Sequence, residues 1–142
     1  MGKINLGRVI LGGFVGGIVT NLIDMVVNVP VLGAAWKAET DALHLTHMTS
    51  AGMSACGWIV SDFLITWIAV WLYAGIRPRF GPGPGTAIKA GLAVWALTGI
   101  AYSAFAFNGL YSQSLTLQSS LGGLVAKVAG TWLGAMIYKE NA

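Results

Sequence analysis

"VILGGFVGGIVTNLIDMVVNV", residues 9–29, decides what kind of chain this is. It is one apolar run with a single charge, Asp24, near its end. As a helix rising ~1.5 Å per residue it covers roughly 30 Å, the thickness of a bilayer's hydrocarbon core. No alternation of apolar and polar residues marks a strand, and no polar stripe marks the outer face of a soluble helix. The run therefore predicts a membrane span.

The rest of the chain agrees. Of its 142 residues, 56% are hydrophobic and only 9% are charged, against roughly 25% charged in a soluble domain. Mean hydropathy is +0.72. Three further apolar stretches follow, at about 50–76, 90–107 and 115–138. Asp62 is the one charge in the second, the third has none, and Lys127 is the one charge in the fourth. The expected fold is all-α: a transmembrane four-helix bundle forming a single membrane domain over 1–142. The basic pI, about 9.3, comes from scattered residues and forms no nucleic-acid face. The single cysteine, Cys56, has no partner within the chain for a disulfide. A cleavable leader, with Lys3 and Arg8 before the run and Gly33-Ala34-Ala35 after it, would need a shorter apolar core without Asp24. A retained span is expected instead.

Lysine and arginine in the connections set the orientation. Lys3, Arg8, Arg77, Arg79, Lys89 and Lys139 fall on one side of the four spans, and Lys37 alone falls on the other. Both termini are expected to be cytoplasmic, with the 31–49 and 108–114 connections outside. "RPRFGPGPG" (77–85) predicts an irregular inner connector, because proline and glycine interrupt the helix. "WLYAGI" (71–76) and "WLGAMI" (132–137) form a faint parallel echo between the ends of the second and fourth spans.

Lipid tails are as apolar as leucine, so helices in a bilayer associate largely through small residues that let backbones approach. Gly13 and Gly17 stand four apart, and helical steps continue that stripe through Asn21, Asp24 and Asn28. This face is expected to point into protein. Gly12 and Gly16 form a second pair. Gly122, Ala126, Gly130 and Gly134 make a row in the fourth span. Ala87, Gly91 and Gly99 make one in the third, interrupted by Trp95. These faces predict helix packing within the chain or against another subunit.

Asp24, Asp62 and Lys127 are the candidate functional residues. An ionisable group in the bilayer costs at least ~2.5 kcal/mol, so it faces the bundle and seeks a partner. Counted from the outer face, Asp62 and Lys127 both lie roughly 18 Å deep and Asp24 roughly 9 Å. Helical side chains lean toward their helix N-terminus. Lys127 therefore leans outward and Asp24 inward, which brings them together across different backbone depths. Lys127 is within reach of either acid. The surplus carboxyl would be protonated, solvated, cation-bound, or hydrogen-bonded by Asn21 or Asn28.

"TDALHLTHM" (40–48) places Asp41, His44, His47 and Met48 on one face if it is helical, a donor set that would suit zinc or copper. The competing expectation is an amphipathic interfacial loop anchored by Trp36, and no cofactor is expected. No nucleotide loop, HExxH or GxSxG occurs, so no enzyme is expected.

"GRVILGG" (7–13) and "RPRFGPGPGTA" (77–87) resemble a set of small bacterial four-helix integral membrane proteins without assigned activity. The resemblance implies a multi-pass protein of the bacterial inner (cytoplasmic) membrane and carries over no functional residue. Two functions stay open. One is a structural or accessory subunit of a homo-oligomer or a larger membrane complex. The other is a small transporter or channel for protons or small cations using Asp24, Asp62 and Lys127. The expected partners are the lipid bilayer and other transmembrane subunits or a second copy.

Overall fold

The computed structural model describes residues 4–44 and 51–140. These residues fold into helices α1 (Leu6–Val26), α2 (Gly33–Ala42), α3 (Ala51–Phe80), α4 (Pro84–Phe107) and α5 (Gln113–Ile137). No strand occurs among them. α1, α3, α4 and α5 are each long and apolar enough to cross a bilayer. α1 packs on α3 and α5, and α4 packs on those same two helices. The four long helices thus form an up-down-up-down ring in which α5 closes back on α1.

Local chemistry explains the helix limits. Asn5 Oδ1 accepts the Arg8 N–H at 3.1 Å and starts α1. α1 runs into a π-helical turn at Val27–Val31. Pro30 has no N–H to give an ordinary helical bond, and the Leu32 N–H reaches back five residues to Val27 O at 2.9 Å. Ser112 Oγ accepts the Leu115 N–H and starts α5.

The expected connector over 77–85 is shorter in the structure. α3 continues through Pro78 to Phe80, and only residues 81–83 lie between α3 and α4. Proline so near the end of a helix disturbs only its last turns. Gly81 then takes a left-handed φ of 82° and donates its N–H to Arg77 O, closing the helix. Thr86 Oγ1 donates to Gly81 O at 2.7 Å, and Pro84 occupies the first turn of α4, where its missing N–H costs nothing. The third span accordingly begins at Pro84, six residues before the sequence boundary.

The interior is small and partly polar. The largest fully buried side chains are Val70, Thr20, Thr66 and Thr131. Alanines 69, 87, 90 and 126 are buried with them, and Val9, Leu32, Tyr73, Val94, Leu115 and Tyr138 are the larger apolar side chains inside. Most large apolar side chains point outward, with Ile100 70% and Phe107 80% exposed. A water-soluble bundle has the opposite arrangement, with its leucines and phenylalanines inside.

Glycines permit this packing. A methyl on Gly12 would stand 2.5 Å from Gly134 O, and one on Gly16 would stand 2.3 Å from Gly130 O. α1 and α5 therefore touch backbone to backbone. Gly13 and Gly17 serve another neighbour, for the rings of Trp67 and Phe63 on α3 occupy the space their side chains would take. Adjacent rows on a helix lie ~100° apart, so α1 can meet two helices with two glycine pairs. Trp95 does not break the row on α4. Its Nε1–H donates to Ser120 O at 2.8 Å, beside the contact of Gly91 with the Val128 backbone.

Candidate functional site

Three of the long helices each send one charged side chain to the same place. Lys127 Nζ on α5 lies 3.1 Å from Asp24 Oδ2 on α1 and 3.7 Å from Asp62 Oδ1 on α3. The first contact is a hydrogen bond. The second is a longer ion pair. The three side chains are 10–16% exposed, so their charges are held largely away from water. Gly123, one turn before Lys127, lies beside the lysine: a methyl there would be in ordinary contact with Nζ at 3.5 Å.

A ladder of threonines lies beside the triad toward the middle of the bundle. The hydroxyl oxygens of Thr20 and Thr66 are 3.0 Å apart. Thr66 Oγ1 donates to Asp62 O at 2.7 Å, and Thr131 Oγ1 donates to Lys127 O at 2.6 Å. Thr20 also reaches Gly16 O and, across the helix interface, Ala126 O. These hydroxyls are buried and satisfied, which a core without water requires.

Asn21 and Asn28 do not serve the carboxylates. Asn21 Nδ2 donates to Gly17 O at 2.9 Å and lies 3.4 Å from Ile59 O. Asn28 Nδ2 donates to Asp24 O, a backbone oxygen, at 3.0 Å. The short asparagine side chain bonds most easily to a carbonyl one turn back, and that local bond wins here. Asn28 Oδ1 instead accepts from Trp36 Nε1 at 3.1 Å and from Ser119 Oγ at 2.9 Å. The stripe drawn through Gly13, Gly17, Asn21, Asp24 and Asn28 is therefore shared between two neighbours. Its glycines and Asn21 meet α3, whereas Asp24 and Asn28 meet α5.

The row on α5 behaves more uniformly. Gly130 and Gly134 meet the α1 backbone, Ala126 O lies against Thr20, and Gly122 meets the Val27 side chain.

Trp36 closes this end of the bundle. It packs edge-on against Tyr111 at 5.1 Å and Tyr102 at 6.4 Å between ring centroids. Nearby, the Glu39 carboxylate accepts from the N–H and hydroxyl of Ser112 and ties α2 to the start of α5. The 31–49 segment is thus a docked helix over its described part. The aromatic pairing of Trp36 was not legible, because Tyr102 and Tyr111 are more than 60 residues away in sequence.

Of the candidate metal set, Asp41 and His44 are described, and they do not share one helix. α2 ends at Ala42, and His44 has a left-handed φ of 55°. Asp41 is already paired with Lys37 one turn earlier. His47 and Met48 lie outside the described residues. Among the described residues, no three histidine, cysteine or acidic side chains cluster to hold a metal ion.

Comparison with protein-family models, with curated proteins and with solved structures found no match. The geometry of the chain itself carries the functional reading.

Proposed function

We propose that the chain is a multi-pass integral protein of the bacterial cytoplasmic membrane, with both termini inside, acting as a structural or accessory subunit. The inverted packing is the observation that carries this. Glycine, alanine and threonine hold the helices together, and leucine, isoleucine, phenylalanine and tryptophan cover the outside. In a bilayer that exterior needs no further burial, and close backbone packing supplies the helix association. The ion triad ties α1, α3 and α5 at one level and sets their relative positions. The small-residue rows are consumed within the chain. A partner subunit would therefore meet the large apolar exterior, including residues 52–60 of α3, which are exposed without interruption.

Native mass spectrometry of protein extracted from membranes in mild detergent tests this reading. A defined homo-oligomer or a stoichiometric companion supports it. Release of the chain from membranes by alkaline carbonate would sink the membrane assignment.

One observation favours a second reading, transport of protons or small cations. The triad has two acids for one base, and an excess carboxyl inside a membrane is commonly functional. A monomer that dissipates an ion gradient in proteoliposomes, and loses that activity as Asp62→Asn, would favour transport over the accessory role.

A further inference from the structure

At the end of the bundle that carries Tyr138, a cleft of about 310 Å3 opens between the start of α4 and the end of α5. Its floor is Tyr73, Ala87 and Ala135, and Trp132 and Met136 flank it. All five are apolar or aromatic. The Tyr73 hydroxyl is turned toward the Gly83 N–H, 3.4 Å away.

The same end is strongly cationic. Arg8, Arg77, Arg79, Lys89 and Lys139 lie there, and Glu140 is the one acid among the described residues at that end. Glu140 is 3.5 Å from Arg77 Nη1, too poorly placed for a hydrogen bond, and that buried nitrogen has no other acceptor. Arg77 also lies over the Tyr138 ring, 5.6 Å from its centroid. Tyr138 in turn packs edge-on against Tyr73 in the cleft floor. Lys139 is exposed and stands three residues beyond Met136 of the cleft wall.

We propose that this cleft binds one acyl chain of an anionic phospholipid, with the phosphate held by Lys139 and Arg77. The proposal rests on the membrane assignment above. Its main support is the order of polarity along the bundle. From Trp132 to Ile137, the last residue of α5, the helix advances roughly 7–8 Å, and Tyr138 and Lys139 follow it in non-helical backbone. The apolar cleft lies on the deep side and the cations on the shallow side, as in a phospholipid whose chain points into the bilayer. A second cleft, of about 270 Å3, is similarly apolar but lies between Trp95 and Ser120, remote from that cationic end. It offers an acyl chain a place but a phosphate none, so it provides an internal control. A protein partner is the alternative occupant, but an apolar slot with the exposed Lys139 and the partly exposed Arg77 guanidinium near its shallow end matches a lipid phosphate ester more closely. Each basic residue near an anionic lipid is worth roughly a fivefold gain in binding.

The test uses the full chain in phosphatidylcholine nanodiscs, doped with phosphatidylglycerol or phosphatidylcholine brominated on the acyl chains. Brominated chains quench tryptophan on contact, and Trp132 lines the cleft. Phosphatidylglycerol should give half-maximal quenching at a mole fraction roughly five- to tenfold lower than phosphatidylcholine. Trp132→Phe should remove this saturable component. Lys139→Gln, at an exposed position that leaves the fold intact, should cut the preference severalfold, and Arg77→Gln should cut it further. Trp95→Phe should leave the preference unchanged. Equal quenching by the two lipids, or an unaltered preference in Lys139→Gln, would overturn the lipid site while leaving the membrane assignment standing. A chain that fails to enter nanodiscs would overturn both.

Discussion

Gly16 and Gly130 meet backbone to backbone, so closely that a methyl on Gly16 would stand 2.3 Å from the Gly130 carbonyl oxygen. A backbone oxygen cannot turn aside as a side chain can. Gly16→Ala should therefore force α1 and α5 apart and cost about 1–3 kcal/mol, the usual penalty of overpacking. Gly75 has nothing within 4 Å of the same probe position. Gly75→Ala should be neutral or stabilising by up to ~1 kcal/mol, the gain in helix propensity. Reversible unfolding of both variants in mixed micelles distinguishes them. Equal effects would contradict the close α1–α5 contact.

Lys127 is nearer to Asp24 than to Asp62, at 3.1 Å against 3.7 Å. Lys127→Met leaves two carboxyl groups without their common partner and should destabilise by on the order of 3 kcal/mol. Double-mutant cycles with Asp24→Asn and Asp62→Asn should give the larger coupling for Asp24. If Lys127→Met inserts and assembles like the parent, the triad does not hold the fold together.

Trp36 donates to Asn28 and packs edge-on against two tyrosines. Trp36→Phe preserves most of the ring contact and removes the hydrogen bond, so a loss of about 1 kcal/mol is expected. Asn28→Ala also strips the acceptor from Ser119 and should cost more. Thermal melts in detergent followed by near-ultraviolet circular dichroism give both numbers. A larger effect from the tryptophan variant would mean that the ring contacts dominate.

Orientation can be read chemically. Lys37 and Lys139 are exposed near opposite ends of the bundle. With Cys56 changed to serine, Lys37→Cys should react with a membrane-impermeant maleimide on intact spheroplasts. Lys139→Cys should react only after permeabilisation. The reverse pattern would invert the proposed topology.

Individual residues show how far the sequence could be read. The four long apolar helices were evident because hydrophobic length is additive along the chain and needs no partner. The closeness of Asp24 and Lys127 followed from helix rise and side-chain lean, two local properties. The path through Pro78 was misjudged because proline signals a break on average. Near a helix end, its cost depends on the cap, here supplied by Gly81 and Thr86. The sequence left open whether Asn21 or Asn28 would bond the surplus carboxyl, and in the structure both amides bond backbone carbonyls instead. Spacing tells which face a residue occupies, but not whether a carbonyl one turn back will capture its amide.

The chain by itself determined that four helices are long and apolar enough to cross a bilayer, that small residues would join them, and that its few buried charges would seek each other. Those properties belong to single helices and to composition. Only the tertiary structure decided which glycine pair meets which neighbour, that Lys127 contacts both acids, and that α2 docks through Trp36 and Glu39. Each of these depends on the rotation of one helix against another. A turn of ~100° exchanges one row of residues for the next, and no single helix contains that angle.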